Sequence, residues 1–173
     1  MDILEQFRQI RTFVFDVDGV LTDGTLLVLD DGQMVRRMNI KDGYALQLAL
    51  KRGYRVVIIS GGTSEAVRDR LNKLGVKDVF LKVENKKEKL MEYLTQYKVD
   101  LNEVLFMGDD IPDYFVMQMV GLACAPADAA PEIRQICNYI SPLNGGYGCV
   151  RDVIEKVLKL NNDWPMDTSV PSK

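Results

Sequence analysis

The chain has 173 residues, 47% of them hydrophobic, which suffices for one folded domain and excludes a low-complexity or disordered protein. Its 22 Lys and Arg stand against 25 Asp and Glu, a formal charge of -3, so a concentrated positive surface for nucleic acid is not expected. There is no histidine, which removes imidazole triads and His-based zinc sites, and the three thiols Cys124, Cys137 and Cys149 read as reduced rather than as a disulfide framework.

The opening MDILEQFRQIR lacks the basic-then-apolar order of a secretory leader, and no run approaches the roughly 18 apolar residues of a membrane span. A cytoplasmic location and no membrane partner are therefore expected. Thr12 to Val17, TFVFDV, reads as a buried strand ending on acidic residues. Leu26 to Leu29 and Met34 to Met38 flank Asp30-Asp31-Gly32-Gln33 and predict a projecting hairpin. Asp42 is placed as the cap of a helix running to about Arg52, with Ala45, Leu46, Ala49 and Leu50 on its apolar face.

A second buried strand, Val56 to Ile59, runs into Ser60-Gly61-Gly62. Ala66, Val67, Leu71 and Leu74 recur at helical spacing and Gly75 ends that helix. Val79 to Leu81 is a short strand, Lys86 to Tyr97 a helix, and Val104 to Met107 a strand closed by Gly108-Asp109-Asp110, with Pro112 opening the next helix. Leu122 to Ala125 and Tyr139 to Ile140 read as edge strands, and Val150 to Leu160 as the last helix. The expected organisation is one domain over 1–162 and a flexible tail over 163–173. Strands alternating with helices predict a parallel α/β sandwich without a second catalytic domain.

Three apolar strands thus end in reactive side chains: Asp16 and Asp18, then Ser60, then Asp109 and Asp110. The carboxyl ends of parallel strands line one crevice, so these groups can meet there. An isolated Asp-x-Asp serves equally well as an acidic turn; beside the other two strand ends it reads as a site. Converging carboxylates repel one another unless a cation intervenes, and an all-oxygen set without histidine suits Mg²⁺. The expected ligands are Asp16, the main-chain carbonyl of Asp18, and Asp109. Ser60 and the backbone around Gly61 can donate to a phosphoryl oxygen, and a lysine from Lys86, Lys87 and Lys89 can add a cation; spacing does not choose among the three.

FDVDGVLTDG at Phe15 to Gly24, Ser60 after its strand, Lys86, and GDDIPD at Gly108 to Asp113 resemble, in order and position, the haloacid dehalogenase-like phosphohydrolases. VLTDG at Val20 to Gly24, NIKDGYAL at Asn39 to Leu46 and GGYGCVRDV at Gly145 to Val153 narrow the resemblance to the small capless 3-deoxy-D-manno-octulosonate 8-phosphate phosphatases. The resemblance implies a Rossmann-like, capless sheet sandwich with a projecting hairpin. It also implies Asp16 as nucleophile, Asp18 as general acid–base, and Ser60, Gly61 and Lys86 as phosphate binders. Mg²⁺ would rest on Asp16, Asp18 and Asp109, with Asp110 and Asp113 orienting the ligands. Thr22, Gly62, Tyr147 and Arg151 would face the substrate, a phosphorylated sugar acid, and a neighbouring subunit of a homotetramer would cover the open site. Gly62 and Tyr147 depart from the basic residues common at those positions. A nine-carbon sugar-acid 9-phosphate would suit the same catalytic groups. A receiver-like phosphate sensor shares the acidic strand ends but has no use for Asp18, and an inactive interaction protein would rely on the hairpin alone.

Overall fold

The computed structural model describes residues 1–173. Six strands form a parallel sheet in the order β5 (Asp78–Phe80), β4 (Arg55–Ile59), β1 (Thr12–Phe15), β6 (Val104–Met107), β7 (Leu122–Ala125) and β8 (Tyr139–Ile140). Side-chain alternation divides the core between the two faces of this sheet. Phe13, Phe15, Val56, Ile58, Leu105 and Met107 point to one face, where α1 (Ile3–Gln9), α2 (Ile40–Lys51), α3 (Glu65–Lys73) and α7 (Cys149–Leu160) cover them. Val14, Val57, Ile59, Val104 and Phe106 point to the other, beneath α4 (Lys86–Tyr97), α5 (Tyr114–Met117) and α6 (Pro131–Ile136). Burial of each such aromatic or aliphatic side chain contributes about 1.5–3 kcal/mol. The strands are apolar on both faces because both faces are covered.

Local chemistry sets the helix ends. Asn39, not Asp42, caps α2: its side chain accepts from the Lys41 N–H at 2.8 Å. Asp42 lies within the helix, buried, and instead accepts from the Arg151 N–H in the first turn of α7 at 2.9 Å. Ser64 and Asn85 cap α3 and α4 through the N–H groups of Val67 and Glu88. The helix α1, absent from the sequence reading, buries only Phe7 of its seven residues and so carries no periodic apolar stripe.

The antiparallel pair β2 (Leu27–Val28) and β3 (Met34–Val35) is shorter than the expected hairpin and lies apart from the main sheet. Its turn closes through Leu29 N–H to Gln33 C=O at 2.9 Å, with Gly32 at φ 86°. Residues 163–173, set apart above as a tail, lie along α2. Tyr54 donates to Asp163 at 2.8 Å, Lys51 pairs with Asp167 at 2.6 Å, and Trp164 meets the Tyr44 ring edge-on. Val170 joins the core there, so apolar residues within the segment account for its position.

Strand order reverses around β1: the chain builds outward to β4 and β5, then returns to place β6 on the other side of β1. A crevice opens where strands diverge in this way, at their carboxyl ends. Asp16, Ser60 and Asp109 all sit there, one or two residues beyond β1, β4 and β6.

Candidate active site

A cleft of about 470 Å³ occupies this position and is lined by Asp16, Asp18, Ser60, Lys86, Asp109 and Asp113, among other residues. After β1 the chain makes one irregular helical turn, Val17–Leu21, broken at Asp18 and at Gly19, where φ is 84°. A Cβ at Gly19 would lie 1.8 Å from Asp109 Oδ2, so only glycine lets this backbone approach the second acid. Thr22 fastens the turn: its Oγ1 accepts from the N–H groups of Gly19 at 3.3 Å and Gly24 at 3.2 Å.

Asp16 is buried, and its Oδ1 accepts from the Val17 N–H at 2.7 Å and lies 3.1 Å from Lys86 Nζ. Lys86, the first residue of α4, also donates to Asp113 Oδ1 at 2.7 Å. Its other oxygen, Asp113 Oδ2, accepts from the Asp109 N–H at 3.1 Å. Asp113 therefore has both oxygens engaged and joins the lysine to the Asp109 backbone. Of the three candidate lysines, Lys86 reaches the cleft, whereas Lys89 pairs with Glu92 on the outer surface of α4.

Carboxylate oxygens of Asp16, Asp109 and Asp113 approach within 4.8 Å of one another. Burial, reinforced by repulsion from Asp113, pushes Asp16 well above the usual carboxylate range against the pull of Lys86. The same two causes lift Asp109 to about 7. Burial would lower the ammonium of Lys86, but Asp16 and Asp113 outweigh it and hold the lysine above its ordinary value. One lysine thus faces three crowded acids, and a hard divalent cation fits that shortfall. Since Asp113 is taken up by Lys86 and the Asp109 N–H, the donors open to such an ion are the carboxylates of Asp16 and Asp109.

Ser60 lies under the Gly61-Gly62 turn, its Oγ accepting from the Gly62 N–H at 3.0 Å. Gly61, Gly62 and the exposed Asp110 line the cleft, and Asp110 spends one oxygen on its own Ile111 N–H at 2.8 Å. Three residues expected to face substrate do not line it. Thr22 is fully buried in the irregular turn after β1. Tyr147 and Arg151 border a different cavity of about 500 Å³ beside α7. Arg151 is drawn there by Glu155 at 3.3 Å and by the Tyr44 and Trp164 rings. The loop bearing Tyr147 still touches the turn after β1 through backbone, since a Cβ at Gly145 would lie 1.9 Å from the Gly19 carbonyl oxygen.

The sequence reading missed two cleft features. Glu84 adds a further acid to the lining. Arg36, from the hairpin, grips Asp18 through Nε to Oδ1 at 2.6 Å and Nη2 to Oδ2 at 3.3 Å. The only signal in the sequence was the Arg36-Arg37 pair just after the second hairpin strand, and hairpin register is needed to tell which arginine turns inward.

A parallel sheet with an acidic pair just beyond β1, a hydroxyl just beyond β4, and Asp109 beyond β6 next to the Lys86–Asp113 pair defines a capless hydrolase of the haloacid dehalogenase-like class. The haloacid dehalogenase-like hydrolase family matches residues 78–154. The 3-deoxy-D-manno-octulosonate 8-phosphate phosphatase of Escherichia coli (strain K12) is 34% identical over 157 residues, 91% of this chain and 84% of that protein. The crystal structure of the Yersinia pestis phosphatase of that name superposes with a TM-score of 0.91 at 30% identity, covering 93% of this chain and 87% of that one. The Moraxella catarrhalis phosphatase, crystallised with magnesium, phosphate and KDO, superposes at 0.90 with 28% identity, covering 93% and 92%. The chain belongs to the 3-deoxy-D-manno-octulosonate 8-phosphate phosphatase family of haloacid dehalogenase-like hydrolases. It is a phosphoric monoester hydrolase of that type.

Proposed function

We propose that this chain hydrolyses 3-deoxy-D-manno-octulosonate 8-phosphate to the free sugar acid and phosphate, with Asp16 as the covalent nucleophile. The observation that carries the reading is the Asp16 carboxylate, oriented by the Val17 N–H and Lys86 at the mouth of the sheet, with Asp18 one residue beyond its neighbour. An Asp16 oxygen attacks phosphorus, the bond to the sugar oxygen breaks, and that oxygen takes the proton of Asp18. Water then attacks the phosphorus of the aspartyl phosphate, giving a proton back to Asp18, and the bond from phosphorus to the Asp16 oxygen breaks, releasing phosphate and restoring the Asp16 carboxylate. Lys86 and the Ser60–Gly62 turn bind the phosphoryl oxygens and stabilise charge as it moves. Mg²⁺, held by Asp16, Asp109 and the main-chain carbonyl of Asp18, supplies Lewis-acid stabilisation of the phosphoryl group when bound.

Two further elements belong to this reading. The three unpaired thiols fit a reducing cytoplasm, and no helix is long and apolar enough to cross a membrane. The exposed hairpin, with Leu27 63% and Val28 66% accessible, fits burial against other copies of the chain in a homotetramer. Phosphate release is the test, measured with the eight-carbon substrate and a nine-carbon sugar-acid 9-phosphate in parallel. Preference for the eight-carbon compound, lost on chelation and restored by Mg²⁺, is the expected result; preference for the nine-carbon compound overturns the substrate assignment.

A further inference from the structure

Arg36 directly follows β3 on the exposed hairpin, yet its side chain is only 12% accessible, against 83% for Arg37 beside it. It turns back into the molecule and places two donors on one carboxylate, that of Asp18. Both oxygens of Asp18 accept from Arg36 and from no other group. Asp18 itself sits in the irregular turn, at φ -70° and ψ 123°, next to Gly19 at φ 84°. Regular secondary structure therefore does not fix its side chain, whereas Asp16 is held by both a backbone N–H and Lys86. The wall behind the pair is Gly62: a Cβ there would lie 3.3 Å from Asp18 Oδ2 and 3.7 Å from Arg36 Nη2. A side chain at that position would crowd the pair, and glycine leaves it room.

We propose that Arg36 is a positioning residue that aims the Asp18 carboxyl at the leaving-group oxygen, making the hairpin part of the catalytic apparatus. This rests on the reading of Asp18 as general acid–base. A planar guanidinium bonded through two nitrogens to two oxygens fixes the plane as well as the place of a carboxyl group. The acid proton lies in that plane, so fixing the plane fixes the line along which it passes to the sugar oxygen when the phosphorus–oxygen bond breaks and the electron pair settles there. Misplacing a reacting group by about 1 Å costs on the order of 10²-fold in rate. Asp18 without Arg36 would retain its chemistry and lose its aim.

The leaving group separates this role from a merely structural one. A sugar alkoxide needs the proton, whereas p-nitrophenolate is stable enough to depart without it. In Arg36→Gln, the pre-steady-state rate of leaving-group release, which precedes water attack, should fall about 10- to 100-fold for the sugar phosphate and far less for p-nitrophenyl phosphate, while KM for the sugar phosphate stays near that of the parent. Arg36→Lys should recover part of the loss, and adding Arg36→Gln to Asp18→Asn should cost little more. Equal losses on the two substrates, no loss, or a raised KM at unchanged kcat would overturn the proposal, the last because it would mean that Arg36 grips substrate. Should Arg36→Gln unfold, Arg36→Met keeps the aliphatic stem, removes the guanidinium and carries the same comparison. Parent-like turnover of the sugar phosphate by Asp18→Asn would instead overturn the acid–base reading itself; an impaired Asp18→Asn beside an indifferent Arg36→Gln overturns the positioning role alone.

Discussion

Lys86 holds together a group of side chains that would otherwise repel. It is 6% exposed, and it bridges Asp16 and Asp113, which are themselves buried. Removing one partner of a buried charge cluster leaves the others uncompensated, at a cost of about 3–5 kcal/mol. Lys86→Met should therefore lower the unfolding free energy by about that amount in metal-free protein, measured by urea denaturation, and abolish turnover as well. Unaltered stability would mean that the two acids share a proton instead of relying on the lysine. At this scale the sequence was informative where a residue ends a strand: Asp16, Ser60 and Asp109 were legible because strand ends converge whatever the loops do. Arg36 was not, because its direction depends on hairpin register. Thr22 and Arg151 lie away from the cleft lining, and a short motif does not reveal which way a side chain turns.

Between elements, Asp42 joins α2 to α7. It is 1% exposed, with one oxygen on the Arg151 N–H and the other without a partner. Burial raises it from the ordinary 3.8 to about 6, against the pull of the Arg151 N–H. The folded chain then binds this proton more tightly than the unfolded chain does. The resulting stability is complete below the unfolded value, near pH 4, and is lost as pH rises through about 6. The loss amounts to at most about 3 kcal/mol, since the positive end of α7 favours the charged form. Asp42→Asn should remove this pH dependence, so that the variant gains on the parent between about pH 4 and 7 in urea unfolding of metal-free protein; parallel curves would contradict it. The sequence placed Asp42 at the start of the right helix but made it the cap, whereas its carboxylate meets the first turn of α7. Asn39 three residues earlier offers the better cap, and a contact between distant elements leaves no local pattern. The alternation of strands and helices was legible, because buried parallel strands are short apolar runs; α1 was not, with one buried side chain in seven residues.

The molecule as a whole leaves its cleft open and its hairpin unsupported. A two-stranded hairpin is marginal on its own in water. β2 and β3 contribute two residues each, with Leu27, Val28 and Met34 at 63%, 66% and 57% exposure. Burial of these side chains against other copies would support the hairpin and, through Arg36, the position of Asp18. Leu27→Ser with Val35→Thr should shift the mass measured by light scattering toward the monomer and reduce turnover in parallel, while far-ultraviolet circular dichroism stays that of the parent. A monomeric parent with full activity would show that assembly is not required.

The account depends most on covalent catalysis at Asp16, and trapping the phosphoenzyme tests it most directly. Asp18→Asn, mixed with 3-deoxy-D-manno-octulosonate 8-phosphate and Mg²⁺, quenched in acid and digested, should yield one phosphorylated peptide carrying an acid-stable, hydroxylamine-labile acyl phosphate on Asp16. Asp16→Asn should yield none and release no phosphate. Phosphate on another residue, or sustained turnover by a verified Asp16→Asn preparation, would contradict the mechanism.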